Sequence, residues 1–180
     1  NTELQLLVSW LEANKLSLNI SKTNFMLFRP KQKCVSKSLT INIKDTPITE
    51  VQSTKFVGVI LDNRLSWNEH VRATARKVSK CIGIISKAKK VLPQTTSFTL
   101  YNSFVLPYLS YCIVIWGSAN ASTLSPLVRL QKIALKCICN KPKRSSASEL
   151  FLRFSLLKLH NLYSYFVLIF MHKFHHANLP

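Results

Sequence analysis

Five cationic side chains fall on one side of a helix that the sequence predicts from Trp67 to about Val91. At about 100° per residue, Arg72, Arg76, Lys80, Lys87 and Lys90 lie within an arc of roughly 80°. Trp67, Val71, Ala75, Val78, Ile82 and Ile85 occupy a second arc of similar width, centred roughly 140° away. Lys77 and Lys89 lie off the stripe. Solvated helix faces usually mix both signs. From Arg72 to Lys90 this one carries no acid, and none occurs anywhere from His70 to Ser148. With a rise of about 1.5 Å per residue, the stripe is about 27 Å long, roughly eight phosphate steps of one strand. The chemistry on offer is capture of a polyanionic backbone.

Carboxylate chemistry is poorly supplied. Two-metal phosphoryl transfer needs acidic groups that hold both ions about 4 Å apart. The only aspartates are Asp45 and Asp62, and they are not adjacent. Asp45 falls in a predicted turn, where such a side chain commonly caps an amide, and Asp62 ends an apolar run. The cysteines (Cys34, Cys81, Cys112, Cys137 and Cys139) are odd in number and scattered. Cys137-x-Cys139 with His175-His176 lacks the two spaced pairs of a structural zinc site. No metal site is expected among these residues. With no secretory signal at its start, the chain is expected to keep reduced thiols in the cytoplasm or nucleus.

Composition points the same way. The chain has 180 residues, 47% of them hydrophobic, with 25 Lys and Arg against 7 Asp and Glu for a net charge of +18. It is long enough to bury about 70% of its unfolded surface and too apolar to be disordered. The excess charge implies nucleic acid first and an acidic membrane surface second. Phe104 to Trp116 and Leu162 to Met171 are too short to span a bilayer. The second run is nearly free of the lysines that interfacial helices pair with their apolar face, so no membrane partner is expected.

The elements that must position these groups read as α+β: one helix on a small antiparallel sheet, then mainly helices. Thr2 with Gln5 suggests a capping box, and Leu4, Leu7, Val8 and Leu11 share a helical face up to about Asn14. Leu16 to Phe28 reads as a strand stopped by Pro30. Leu39–Ile43 and Ile48–Val51 read as a hairpin, and Phe56 to Leu61 as a third strand, with Gly58 inside it as a bulge. Ser66 with Glu69 suggests a second capping box before the basic helix. Further helices are predicted over Thr96–Leu106, interrupted at Pro107, then over Tyr108–Trp116, from Ser125-Pro126 to about Ile138, and from Glu149 to His175. The aromatics Phe98, Tyr101, Phe104, Tyr108, Tyr111 and Trp116 recur at helical spacing without interleaved charge, which reads as core. Phe56, Val59 and Leu61 also read as core.

Two blocks carry a resemblance. Residues 10–23 follow W-L-x-x-N-x-L-x-L-N-x-x-K-T, and residues 55–70 follow K-F-x-G-V-x-L-D-x-x-L-x-W-x-x-H. In that order, and continuing through Tyr101, Pro107-Tyr108-Leu109, Tyr111, Trp116-Gly117 and Leu130-Gln131-Lys132, the chain resembles reverse transcriptases of non-LTR retrotransposons of the jockey and CR1 kind. The resemblance spans roughly residues 4–140. It implies that residues 1–62 form the end of a polymerase palm with a primer-grip-like strand, and 63–140 a helical thumb. Residues 141–180 would be a linker and C-terminal helical segment.

The resemblance also implies roles. Lys22, the lysine of L-N-x-x-K-T, would help protonate or neutralise the departing pyrophosphate, a task suited to a cationic amine. Val57 and Gly58 would meet the primer's end through their backbone, and the basic stripe would follow the template–primer. The partners would be an RNA template, a DNA primer, deoxynucleotides and the remainder of the polymerase chain. Mg²⁺ would be bound by aspartates upstream of residue 1, so the fragment alone is expected to be inactive. A rival reading is a degraded or co-opted module that binds nucleic acid without polymerising.

Overall fold

The computed structural model describes residues 2–30, 39–44, 46–142 and 144–177. It is a mixture of helices and short strands, and it divides into two units, Asn1–Ser66 and Trp67–Pro180.

In the first unit, helix α1 spans Thr2–Ala13. It closes with Lys15 in the left-handed region (φ 55°). The Leu16 amide donates to the Leu11 carbonyl (2.8 Å) and that of Lys15 to Glu12 (2.9 Å). This is the paired bonding that satisfies a helix's last carbonyls. Leu4 and Val8 share a cleft with Ile43. Leu7 was expected on that face but is exposed, as are Leu6 and Trp10.

The strand predicted from Leu16 to Phe28 is mostly not one. Asn19 accepts the Lys22 amide on its side chain (3.2 Å) and opens a 3-10 turn, Ile20–Lys22. Within this segment only Asn24–Phe25 (β1) pairs as a strand. Strand β2 (Asn42–Ile43) pairs antiparallel with β3 (Thr46–Pro47), whereas β4 (Thr49–Glu50) pairs parallel with β1. The predicted hairpin is therefore short. The Ile48 amide still donates to the Ile41 carbonyl (2.9 Å), and the chain then passes to Phe25, whose carbonyl accepts the Val51 amide (2.9 Å). The turn at Asp45 lies outside the described residues. Strands β5 (Ser53–Phe56) and β6 (Val59–Asp62) form an antiparallel hairpin. In place of one small antiparallel sheet, the described residues form three two-stranded pieces, one of them parallel.

The second unit is helical. Helix α2 spans Asn68–Ala88 and buries His70, Val71, Thr74, Val78, Cys81, Ile82 and Ile85. Its N-cap is Trp67, left-handed at φ 63° and without a side-chain cap, and not Ser66 as predicted. The Ser66 amide and hydroxyl both donate to the Asp62 carboxylate instead (3.0 and 3.2 Å).

Helix α3 (Gln94–Leu100) continues through a π-helical turn, Tyr101–Val105, into α4 (Leu106–Ser110). The predicted interruption at Pro107 is absent. The turn widens just before the proline, with the Leu106 amide reaching back to Tyr101, and this makes room for a ring that would clash in a regular helix. The break comes later, at Cys112 (φ 51°), before the short α5 (Ile113–Trp116).

Helix α6 (Ala121–Ile138) begins before Ser125-Pro126 and keeps Pro126 inside it. The carbonyl that Pro126 cannot serve belongs to Ser122, four residues back. The Ser125 hydroxyl donates to it instead (2.9 Å). Helices α7 (Ser148–Arg153) and α8 (Leu159–His175) replace the single final helix.

Helix α2 packs along α6, and polar bonds at both ends give their relative direction. The Thr123 hydroxyl donates to Asn68 Oδ1 (3.1 Å) near the two N-termini. Lys89 Nζ donates to the Cys137 carbonyl (2.9 Å) and to Asn140 Oδ1 (2.8 Å) near the two C-termini. The helices are parallel. Lys89 thus caps the negative end of α6, which explains its place off the stripe.

Trp116 is fully buried and donates from Nε1 to the Tyr111 carbonyl (2.9 Å). The next residue, Gly117, leaves no room for a side chain: a Cβ there would lie 2.5 Å from Tyr163 Cδ2. The Trp-Gly pair is how α5 and α8 come together.

Candidate nucleic-acid interface

Arg72, Arg76, Lys80 and Lys87 all stand exposed on α2, and Lys90 is exposed in the turn just after it. On the same wheel, the residues that α2 buries centre about 180° from the stripe, because His70, Thr74 and Cys81 join the inner face while Ala75 is only half-buried. The stripe therefore points directly away from the core. Glu69, exposed in the first turn of α2, is the one acid on the helix, and it falls on the stripe's face three residues before Arg72.

The predicted residues of the first unit lie on two different elements. Lys22 is exposed and ends the turn that Asn19 caps, not a strand. The Ser21 hydroxyl donates to Asn19 Oδ1 (2.7 Å) and the Thr23 hydroxyl to the Asn19 carbonyl (2.9 Å). The N-x-x-K-T segment is thus a self-bonded local unit that presents the lysine.

Val57 and Gly58 form the two-residue turn between β5 and β6, with φ of 44° and 81°. Two successive positive φ values are the signature of a turn whose twist matches its strands. Gly58 is therefore a turn residue, not a bulge. A β-branched residue pays for that conformation in strain. Phe56 and Val57 project at the tip, 66% and 68% exposed, so Phe56 is not core as predicted, while Val59 is buried and Leu61 half-buried. Asp62 closes the hairpin's far end. Its carboxylate accepts the Arg64 amide (3.1 Å) in addition to Ser66.

The aromatics after Pro93 divide. Tyr101 and Trp116 are fully buried, but Phe104, Tyr108 and Tyr111 are exposed, contrary to the core reading. Lys77 Nζ lies 5.3 Å from the centre of the Tyr108 ring. Helical spacing signalled one continuous series, but only the packing of neighbouring helices decides which members are covered.

Among the described residues, no group of three or more His, Cys, Asp or Glu could hold a metal ion. The Asp62 carboxylate is taken up by the turn, where it accepts the amides of Arg64 and Ser66. No helix among the described residues is long and apolar enough to cross a membrane. Burial raises the pKa of the Cys81 and Cys139 thiols, against partial opposition from a backbone hydrogen bond at Cys81 and from Arg153, Lys141 and Gln94 at Cys139. Neither is poised as a nucleophile.

The geometry defines a basic helical scaffold with a cationic face the length of several phosphates. The relatives it resembles are polymerases of mobile elements. The chain is similar to the probable RNA-directed DNA polymerase from transposon X-element of Drosophila melanogaster, 28% identical over 133 residues, which are 72% of this chain and 14% of that protein. It is similar to the probable RNA-directed DNA polymerase from transposon BS of the same species, 27% identical over 145 residues, 77% of this chain and 16% of the relative. A third relative is the retrovirus-related Pol polyprotein from type-1 retrotransposable element R1 2 of Nasonia vitripennis, 27% identical over 154 residues, 77% of this chain and 37% of the relative. These bear out the resemblance to reverse transcriptases of non-LTR retrotransposons. The chain spans 14% to 37% of the length of these relatives. No family model and no solved structure matches it.

Proposed function

We propose that this chain is the end of the palm and the thumb of a non-LTR retrotransposon reverse transcriptase, and that it holds the template–primer. Helix α2 follows the phosphate backbone through Arg72, Arg76, Lys80 and Lys87, with Lys90 in the turn behind it. The Val57-Gly58 turn meets the primer's end, and Lys22 neutralises or protonates the departing pyrophosphate. The partners are an RNA template, a DNA primer and, in the intact enzyme, deoxynucleotides. Mg²⁺ belongs in this reading to carboxylates outside the chain, which by itself does not polymerise. The observation that carries the reading is the exposed cationic stripe from Arg72 to Lys90, set opposite the buried face of α2.

Binding of the chain to an RNA–DNA hybrid at several salt concentrations tests it. Contact by all five cations contributes about −4 to −5 to the slope of log affinity against log salt on a B-form duplex, and somewhat less on a hybrid. A flat dependence, or no binding at low salt, would overturn the reading. Primer extension with Mg²⁺ and deoxynucleotides should stay at the no-protein level. Incorporation above it would return the catalytic carboxylates to this chain.

A further inference from the structure

Phe104, Tyr108 and Tyr111 follow one another at four and three residues, and they are 42%, 39% and 49% exposed. Tyr101, Val105 and Leu109, interleaved with them, are fully buried. This stretch therefore shows one apolar face to the core and a second, aromatic face to solvent. Single exposed apolar side chains are ordinary, but three aromatics on one face with a cation at their edge form a surface. The cation is Lys77, over the Tyr108 ring. On α2 it sits about 60° round from Lys80, at the border of the basic stripe. Aromatic ridge, Lys77 and stripe thus adjoin in that order, and no carboxylate from residues 70–148 interrupts them.

We infer that this ridge is a stacking platform for unpaired bases of a nucleic-acid strand whose phosphates run along α2. The inference rests on the template–primer reading and goes beyond it by specifying the state of the strand. A duplex hides its base faces in its own stack, whereas an unpaired strand offers them to any aromatic ring beside a cationic track. From Phe104 to Tyr111 the helix rises about 10 Å, room for two or three bases at about 3.4 Å each. A protein segment is the other occupant an apolar ridge could take, but lysine is depleted at the cores of protein interfaces, and here Lys77 lies against the ridge itself.

The test uses the 180-residue chain with two fluorescein-labelled probes of about 20 nucleotides, oligo-dT and a blunt duplex, long enough for the site of a sequence-tolerant binder. A double variant, Phe104→Leu with Tyr108→Leu, keeps the surface apolar but removes the rings. Its affinity for oligo-dT should fall about tenfold or more, in the range of lost base stacking. Duplex affinity should change less than about twofold, and the salt slope should stay the same because no charge is removed. A second variant, Tyr108→Trp, keeps the stacking and should retain oligo-dT binding, with extra fluorescence that oligo-dT quenches and duplex does not. Equal loss on both probes would overturn the inference. No loss on oligo-dT would also overturn it and assign the ridge to a protein partner. If the unaltered chain bound neither probe, or bound with a flat salt dependence, the template–primer reading itself would fail.

Discussion

Gln131 holds the amide of Leu159: its Oε1 accepts that hydrogen bond at 3.0 Å, where α8 begins. Its Nε2 donates to the Leu157 carbonyl (3.0 Å) and to the Tyr101 hydroxyl (3.2 Å). One buried amide on α6 thereby joins the π-helical turn to the loop that starts α8. Gln131→Leu should leave a buried amide and a carbonyl without partners and cost about 2–6 kcal/mol, at about 1–3 kcal/mol for each stranded group. Tyr101→Phe, which loses one hydrogen bond, should cost only about 1 kcal/mol. Urea unfolding of the two variants gives the comparison, and a smaller cost for Gln131→Leu than for Tyr101→Phe would refute this account.

Replacing Arg76, Lys80 and Lys87 with Gln should reduce the salt slope of nucleic-acid binding by about 2 to 3. Binding should weaken alike for unrelated sequences, because phosphates carry no base identity. The fold should survive, since all three side chains are exposed and Gln is a good helix former. Exposed Lys15, Lys158 and Lys173, changed to Gln together, are the charge-matched control. An equal drop in slope in that control would reduce the stripe to a general positive field.

In a reconstituted full-length polymerase, Lys22→Ala should slow the chemical step about 10- to 1000-fold, the range of a lost acid or charge clamp. Template–primer affinity should barely change. Because the turn is held by Asn19, Ser21 and Thr23, the substitution should not disturb the backbone. A normal single-turnover rate would make Lys22 a surface residue.

The Val57-Gly58 turn makes a prediction about strain. Val57→Asn should stabilise the hairpin by about 1 kcal/mol, since Asn tolerates a left-handed φ that a β-branched side chain resists. Gly58→Ala should destabilise it for the same reason. Hydrogen exchange of the β6 amides, Val59–Asp62, reads the change locally. Faster exchange in Val57→Asn would show that the turn is unstrained.

His70 supplies a pH dependence. It is buried with its ring 5.4 Å from that of Trp116. Burial first, and the charge of Lys77 second, hold its pKa below the ordinary imidazole value. A base whose folded pKa is lowered stays neutral in the folded state while the unfolded chain takes up a proton. Its contribution is therefore intact above about pH 6.5, the unfolded value, and is lost as pH falls below it. Between about pH 7.5 and pH 5.5 the urea midpoint should drop more for the unaltered chain than for His70→Gln. Equal drops would remove His70 as the cause.

Long periodic elements could be read from the sequence, and locally bonded ones could not. Helix α2 runs for several turns, so its inner and outer faces separate by periodicity alone. The segment around Lys22 alternates like a strand, yet the Asn19 side chain outcompetes strand pairing through a short-range bond that no hydrophobic pattern announces. Ser125-Pro126 looked like a helix start because proline favours that position, but the Ser125 hydroxyl makes it tolerable within α6. For the aromatic series the period was correct and the burial was not: Tyr101 and Phe104 share a spacing pattern, and only the placement of α2 and α6 determines which is covered. The turn at Val57-Gly58 is not legible from hydrophobicity, because an apolar run conceals a two-residue reversal.

The widened turn at Tyr101–Val105 holds one residue more than a regular helix of the same rise. Deleting one residue there would rewind the segment into ordinary α-helix and drive the Pro107 ring onto a carbonyl. It would also rotate everything on one side of the deletion by about 100° relative to the other. Tyr101 would swing away from Gln131, or else Leu109 would swing out of the core. Exposed positions in this stretch can exchange their side chains without loss of the fold; its residue count is what the fold holds fixed.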